Sequence, residues 1–219
     1  MTPRSFRWIP CAASLALAAA AGAAPLEELR AKADGGDSQA QASLGFAYAT
    51  GTGVPRDAEE AASWLRKAAE AGDPKAQFNL GLLSARGEGT AQDYSEAARW
   101  YRKAADQGSA GAQYNLALLF AKGQGVAQDY AEAAKWYRQA AEQGHAASQY
   151  NLGVLHHKGQ GVAKDCVQAL FWLSLASTCA PAEKRDEWTR TREAVAAKVT
   201  RAQLVEAETL AGEWKPKEP

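Results

Sequence analysis

Four tryptophans, Trp64, Trp100, Trp136 and Trp172, stand at a constant spacing of 36 residues, and the other distinctive residues keep the same step. Gly36, Gly72, Gly108 and Gly144 open the units. Gly51, Gly87, Gly123 and Gly159, each followed two residues later by Gly53, Gly89, Gly125 or Gly161, mark their middles. Self-similarity at such a period is the mark of a repeat architecture, in which a single unit cannot bury its apolar face and must stack on its neighbours. Four units follow, 36–71, 72–107, 108–143 and 144–179.

The first half of each unit has apolar residues at helical spacing, as in Phe78, Leu80, Leu82 and Leu83, or Tyr114, Leu116, Leu118, Leu119 and Phe120. The pattern then stops at a G-x-G, where two glycines permit the backbone angles of a tight reversal. Asp57, Asp93, Asp129 and Asp165 each precede a second apolar-periodic run. Each has Glu60, Glu96, Glu132 or Gln168 three positions on, the pattern of a capping box that satisfies orphan backbone N–H groups. The second helix carries the Trp and a row of alanines, then ends near the next unit's glycine. The expected fold is therefore all-α, an α-solenoid of stacked helix-turn-helix repeats.

Both ends differ from the middle. Residues 25–35, with Leu26, Leu29 and Ala33 on one face, predict a lone N-terminal capping helix. Residues 180–214 predict C-terminal capping helices, one with Trp188, Val195 and Val199, the next opened by a Thr200 to Gln203 capping box. Residues 215–219 are expected to fray. At the other terminus, Arg4 and Arg7 precede an uncharged stretch from Trp8 to Ala21 and the small residues Ala21-Gly22-Ala23-Ala24. That order predicts a signal peptide over 1–24, and Pro10 interrupts the stretch below the length of about 20 residues that spans a bilayer. The expected product is exported, periplasmic or secreted, with no stable membrane insertion after signal cleavage.

With 25 basic and 25 acidic side chains the chain has no excess of positive charge to neutralise a phosphate backbone, so nucleic acid is an unfavoured partner. Its three cysteines and three histidines fall in no zinc-ligand spacing, and no metal or cofactor is expected. No S-x-x-K, G-x-S-x-G or H-E-x-x-H motif occurs. The acidic residues of the capping boxes recur every 36 residues, as structure demands and a single catalytic centre does not. Adjacent His156 and His157 diverge by about 100° on a helix and are expected to pack rather than share an ion. Cys166 and Cys179 are expected as free, partly buried thiols, since about 20 Å of helix separates them; the other reading is an intermolecular disulfide.

The unit A-Q-Y-N-L-A-L-L-F-A-K-G-Q-G-V-A-Q-D-Y-A-E-A-A-K-W-Y-R-Q-A-A-E-Q-G, residues 112–144, closely resembles the Sel-one-like repeat, a relative of the tetratricopeptide repeat. The resemblance covers about 36–179 and implies a non-enzymatic scaffold, adaptor or regulator that binds a protein or peptide partner. In bacteria it implies an envelope process. It also implies two other roles, a cell-wall or β-lactam-directed activity and a structural subunit of an envelope assembly. The β-lactam subgroup carries a cysteine pair in each repeat, and this chain does not.

One register stands out for binding. Asn79, Asn115 and Asn151, with Ser43 in the first unit, occupy equivalent positions on the first helices, and Arg86, Lys122 and Lys158 follow seven residues later. A step of seven returns to nearly the same helix face. In related solenoids the first helices line the concave surface, where amides can hold an extended peptide and the basic row can take acidic groups. The other reading has the asparagines bonded to neighbouring repeats' backbone and the basic side chains merely solvated.

Overall fold

Every second helix starts in the same way, because each aspartate after a G-x-G turn places its carboxylate under two free backbone N–H groups. Asp57 accepts from Glu59 and Glu60, Asp93 from Ser95 and Glu96, Asp129 from Ala131 and Glu132, and Asp165 from Val167 and Gln168, all at 2.8–3.1 Å. This satisfies donors that a helix start leaves orphaned. The computed structural model describes residues 26–217 and shows eleven helices and no strand among them. They are α1 Leu26–Asp34, α2 Ser38–Thr50, α3 Ala58–Glu70, α4 Pro74–Arg86, α5 Tyr94–Asp106, α6 Ala110–Lys122, α7 Tyr130–Glu142, α8 Ala146–Lys158, α9 Cys166–Thr178, α10 Arg185–Ala196 and α11 Arg201–Glu213. Consecutive helices pack on one another from α1 to α9, so the chain is an all-α solenoid of hairpins. The proposed leader, 1–24, lies outside the described residues.

The capping boxes expected at the second helices are only half formed. The aspartate backbone N–H groups, which a full box would give to the residue three positions on, instead donate to Tyr48, Ser84, Phe120 and His156 carbonyls of the preceding helix at 2.9–3.0 Å. That frees the glutamates. Glu60 accepts from the Trp64 indole at 3.0 Å. Glu96 accepts from Trp100 at 3.4 Å, Arg66 at 2.8 Å and Ser84 at 3.3 Å. Burial opposes ionisation of Glu96, but the hydrogen bonds from Arg66, Trp100 and Ser84 outweigh it and hold the carboxyl below its usual range. Among the described residues only α11 carries both halves of the box, between Thr200 and Gln203.

The core lies between helices and is built from alanines, leucines and the tryptophans. Ala61, Ala97, Ala133 and Ala169 are fully buried at equivalent places, as are Leu44, Leu80, Leu116 and Leu152. Alanine lets helix backbones approach, and the indoles fill the space left. The second glycine of each G-x-G has a further duty beyond turning: Gly89, Gly125 and Gly161 press on the backbone that begins the preceding second helix, at Ala58, Tyr94 and Tyr130. A side chain there has no room, so the glycines set the distance between repeats.

Helix α9 is apolar nearly all round because both its sides are covered. Leu170, Leu173 and Ala169 meet Val195 of α10 and Ala207 of α11, while Phe171, in the place of Ser63, Arg99 and Lys135, lies under Leu210 and Trp214. The tail expected to fray after 214 is instead docked as far as it is described. The Lys217 backbone N–H donates to the Glu142 carbonyl at 2.7 Å, and its ammonium meets the Glu142 carboxylate at 2.7 Å. Trp214 joins the main core cluster and anchors this strap. The cysteine expectation also needs correction. Cys166 is a free, half-buried thiol, but Cys179 is disulfide-bonded; helix length rules out only the pairing of these two with each other.

Candidate functional site

The first helices α2, α4, α6 and α8 carry two amide registers, two residues apart, and the structure gives them different work. Gln41, Gln77, Gln113 and Gln149 are buried. Each donates its side-chain amide to a backbone carbonyl eight residues earlier, Ala33, Ala69, Ala105 or Ala141, at 3.0–3.1 Å. Those carbonyls lie at the ends of the preceding helices, where no intrahelical donor remains. The glutamine ladder therefore stitches each hairpin to the one before it.

Asn79, Asn115 and Asn151 take no part in that stitching and are half-exposed, while Ser43 is exposed. They line up along the first helices on the side away from the glutamine bonds. Asn151 touches the hydroxyls of Tyr114 on α6 and Tyr137 on α7. Burial pushes both phenols up, and the Asn151 hydrogen bond pulls against it. Both phenols are neutral donors throughout the physiological range. Around them the ring of His145 lies 4.8 Å from Tyr114, and Tyr150 stacks on Trp188 at 4.9 Å. The half-buried Asn151, Tyr114, His145 and Tyr150 are thus backed by the buried rings of Tyr137 and Trp188.

The basic row is exposed, as spacing predicts, but it is uneven. Arg86 stands 3.7 Å from Glu88, which also pairs with Arg56 at 2.9 Å. Glu88 is replaced by Gln124 and Gln160 in the next two repeats, so Lys122 and Lys158 keep their charge uncancelled there.

Four stretches, 38–73, 74–109, 110–145 and 146–180, match the family model described as the Sel1 repeat. The chain belongs to the Sel1-repeat family. These stretches begin two residues after the opening glycines, at the first helices, and keep the same period. The Sel1-repeat chain is 40% identical, over 85% of its length, to a protective antigen present in uropathogenic Escherichia coli strains displaying an SLR fold, with a TM-score of 0.76. It is 37% identical, over 72% of its length, to a Sel1 repeat protein from Oxalobacter formigenes, with a TM-score of 0.67. It spans 39% and 65% of those two chains. No curated protein matches it. Sel1-repeat proteins generally mediate protein–protein interaction.

Elsewhere in the Sel1-repeat array the perturbed groups answer to packing. His145 caps α8 through Nδ1, which accepts from the Ser148 backbone at 3.3 Å, and burial holds its ring toward the neutral form. His156 is buried and lies 3.3 Å from Arg138. Among the described residues no three metal-ligating side chains gather, and no helix is long and apolar enough to cross a membrane. The sequence reading missed the glutamine ladder, although its signal was present: Gln41, Gln77, Gln113 and Gln149 recur every 36 residues beside buried Ala40, Ala76, Ala112 and Ser148.

Proposed function

We propose that this chain is an exported, non-enzymatic scaffold or regulator of an envelope process, and that its protein partner docks on the first-helix face bearing Asn79, Asn115 and Asn151 with Arg86, Lys122 and Lys158. One observation carries the site: the amides that hold hairpins together are the glutamines, which leaves the equally periodic asparagines half-exposed. Amides repeated along a solenoid face suit an extended peptide, whose backbone offers donors and acceptors at regular intervals. The hydroxyl of half-buried Tyr114 extends that polar surface, and the lysines favour an acidic segment. Export rests on the order of charge, apolar stretch and small residues in 1–24. The protective-antigen role of the similar Escherichia coli protein agrees with that address.

The test uses protein from Pro25 onward as bait in envelope extract, beside a triple Asn79→Ala, Asn115→Ala, Asn151→Ala variant, with mass spectrometry as readout. A partner held by the wild type and lost by the folded variant supports both scaffold and face. A partner held equally by both moves the interface elsewhere, and no specific partner counts against the scaffold. For export, an intact N-terminus on the cell-fractionated protein, rather than one near Pro25, counts against the leader.

A further inference from the structure

What recurs in an array of this kind is framework, so a departure confined to one repeat is where an added property is to be sought. The fourth repeat departs most. All three histidines lie in it, and His157 replaces Ala49, Ala85 and Ala121 of the earlier repeats. Lys164 in turn replaces Arg56, Gln92 and Gln128. Those three residues are staples, donating to the Ala49, Ala85 and Ala121 carbonyls at 3.1, 2.9 and 2.8 Å. The fourth-repeat loop keeps the same path, since Lys164 folds back against Gly159 as Gln92 and Gln128 fold against Gly87 and Gly123. Lys164 is thus delivered beside His157, with a charge where two of the three other repeats have a neutral amide.

Two further lysines reach the same corner. Lys158 adjoins His157 at the end of α8. Lys198 arrives just beyond α10; Val195 of that helix and Val199 after it share an apolar cluster with Val154 of α8. All three lysines are exposed, and none joins an ion pair among the described residues. The corresponding corner of the second repeat holds Glu88 against Arg56 and Arg86, whereas the fourth has Gln160. His157 Nδ1 is buried and has no hydrogen-bond partner. Burial, then Lys198, Lys164 and Lys158, hold the ring toward its neutral form.

We propose that this corner, with Lys158, Lys164 and Lys198 set around His157, binds a multiply charged oxyanion of the phosphate class. The neighbouring Asp165 carboxylate is taken up by the Val167 and Gln168 N–H groups, and three ammonium groups outside any ion pair attract such a group strongly and fix it by charge-assisted hydrogen bonds. Bound negative charge also favours a protonated His157 ring, which then offers N–H donors. The proposal does not depend on a protein partner at the asparagine row.

The experiment titrates protein from Pro25 onward with inorganic pyrophosphate by calorimetry, and separately with phosphatidylcholine vesicles containing phosphatidic acid by co-sedimentation. Lys164→Gln and His157→Ala put back residues that earlier repeats already carry, so folding is preserved, and Lys75→Gln removes an equal charge from exposed surface two repeats away. Saturable one-site binding is expected, weakened about tenfold or more by either corner variant and less than about twofold by Lys75→Gln. A pyrophosphate response assigns a free oxyanion, while a response confined to vesicles with the same variant pattern assigns a lipid-borne phosphate. No binding to either, or equal weakening by all three variants, overturns the proposal.

Discussion

The side-chain amide of Gln107, which caps the C-terminal end of α5, donates to the side-chain oxygen of Gln77 on α4 at 2.8 Å. Gln77 in turn reaches back to the Ala69 carbonyl of α3 at 3.1 Å, so one buried amide joins three helices. Gln143 and Gln113 repeat the bond at 2.9 Å.

Gln113→Leu therefore removes the side-chain donor to the Ala105 carbonyl, which keeps the Gly108 N–H at 3.0 Å, and leaves the Gln143 amide without the Gln113 oxygen. The expected cost is about 1–2 kcal/mol, that of two lost hydrogen bonds. Asn115→Ala, two residues on, is expected to change stability by less than about 0.5 kcal/mol, as a half-exposed side chain outside the ladder does. Urea unfolding of both variants checks the pair. Equal costs would make the asparagine part of the framework and remove it from the binding face.

The tryptophans divide in the same manner. The Trp64 indole donates to Glu60 at 3.0 Å, but the Trp136 indole nitrogen is buried without a partner. Trp64→Phe loses a charge-assisted hydrogen bond as well as volume, whereas Trp136→Phe relieves an unsatisfied donor. The first is expected to be more destabilising than the second by about 1–2 kcal/mol. Thermal or denaturant unfolding of the two proteins decides it, and the reverse order would refute this account of the indoles.

The difference between repeats shows how far the sequence could be read. Period, helix-turn-helix units, both caps and the Asp starts were visible because each depends on local chemistry that recurs every 36 residues. The fate of Glu60 and Glu96 was not, since the acceptor that competes with them for the aspartate N–H is a carbonyl of the preceding helix, Tyr48 or Ser84, brought close only by tertiary packing. The same holds for Lys217, whose partner Glu142 lies 75 residues away in sequence. For the candidate site, the asparagine register followed from spacing, but which of the two periodic amides reaches the preceding helix's carbonyls depended on which one faced the previous hairpin. A shift of two positions turns a helix face by about 200°, and periodicity alone does not say which face is covered.

The glycines offer a sharper contrast. Gly108 has open space where a Cβ would stand, so Gly108→Ala pays only for its φ of 90°, about 1–2 kcal/mol. At Gly125 the φ is 70° and the added carbon runs into the backbone of Tyr94 and Ser95. Gly125→Ala combines the same backbone strain with a clash between repeats, and a loss above about 3 kcal/mol is expected. Comparable losses in denaturant titrations would mean that the second glycine serves only the turn.

Acidification is expected to act in part through His145. Burial lowers its pKa from 6.5 in the folded chain, because the ring sits 4.8 Å from Tyr114 and its Nδ1 accepts from the Ser148 N–H. The unfolded chain binds the proton more readily, so this contribution is complete above about pH 6.5 and is lost as pH falls through the lower folded value. His156 and His157, also lowered by burial, act in the same direction. His145→Ser keeps a helix cap, since Ser109 caps α6 by accepting from the Ala112 N–H at 3.4 Å, but removes one titrating ring. Melting temperatures followed from pH 7.5 to pH 5 should decline less steeply in the variant than in the wild type. Parallel curves would show that the proton taken up below neutrality goes to the other two histidines, leaving His145 a cap with no part in acid sensitivity.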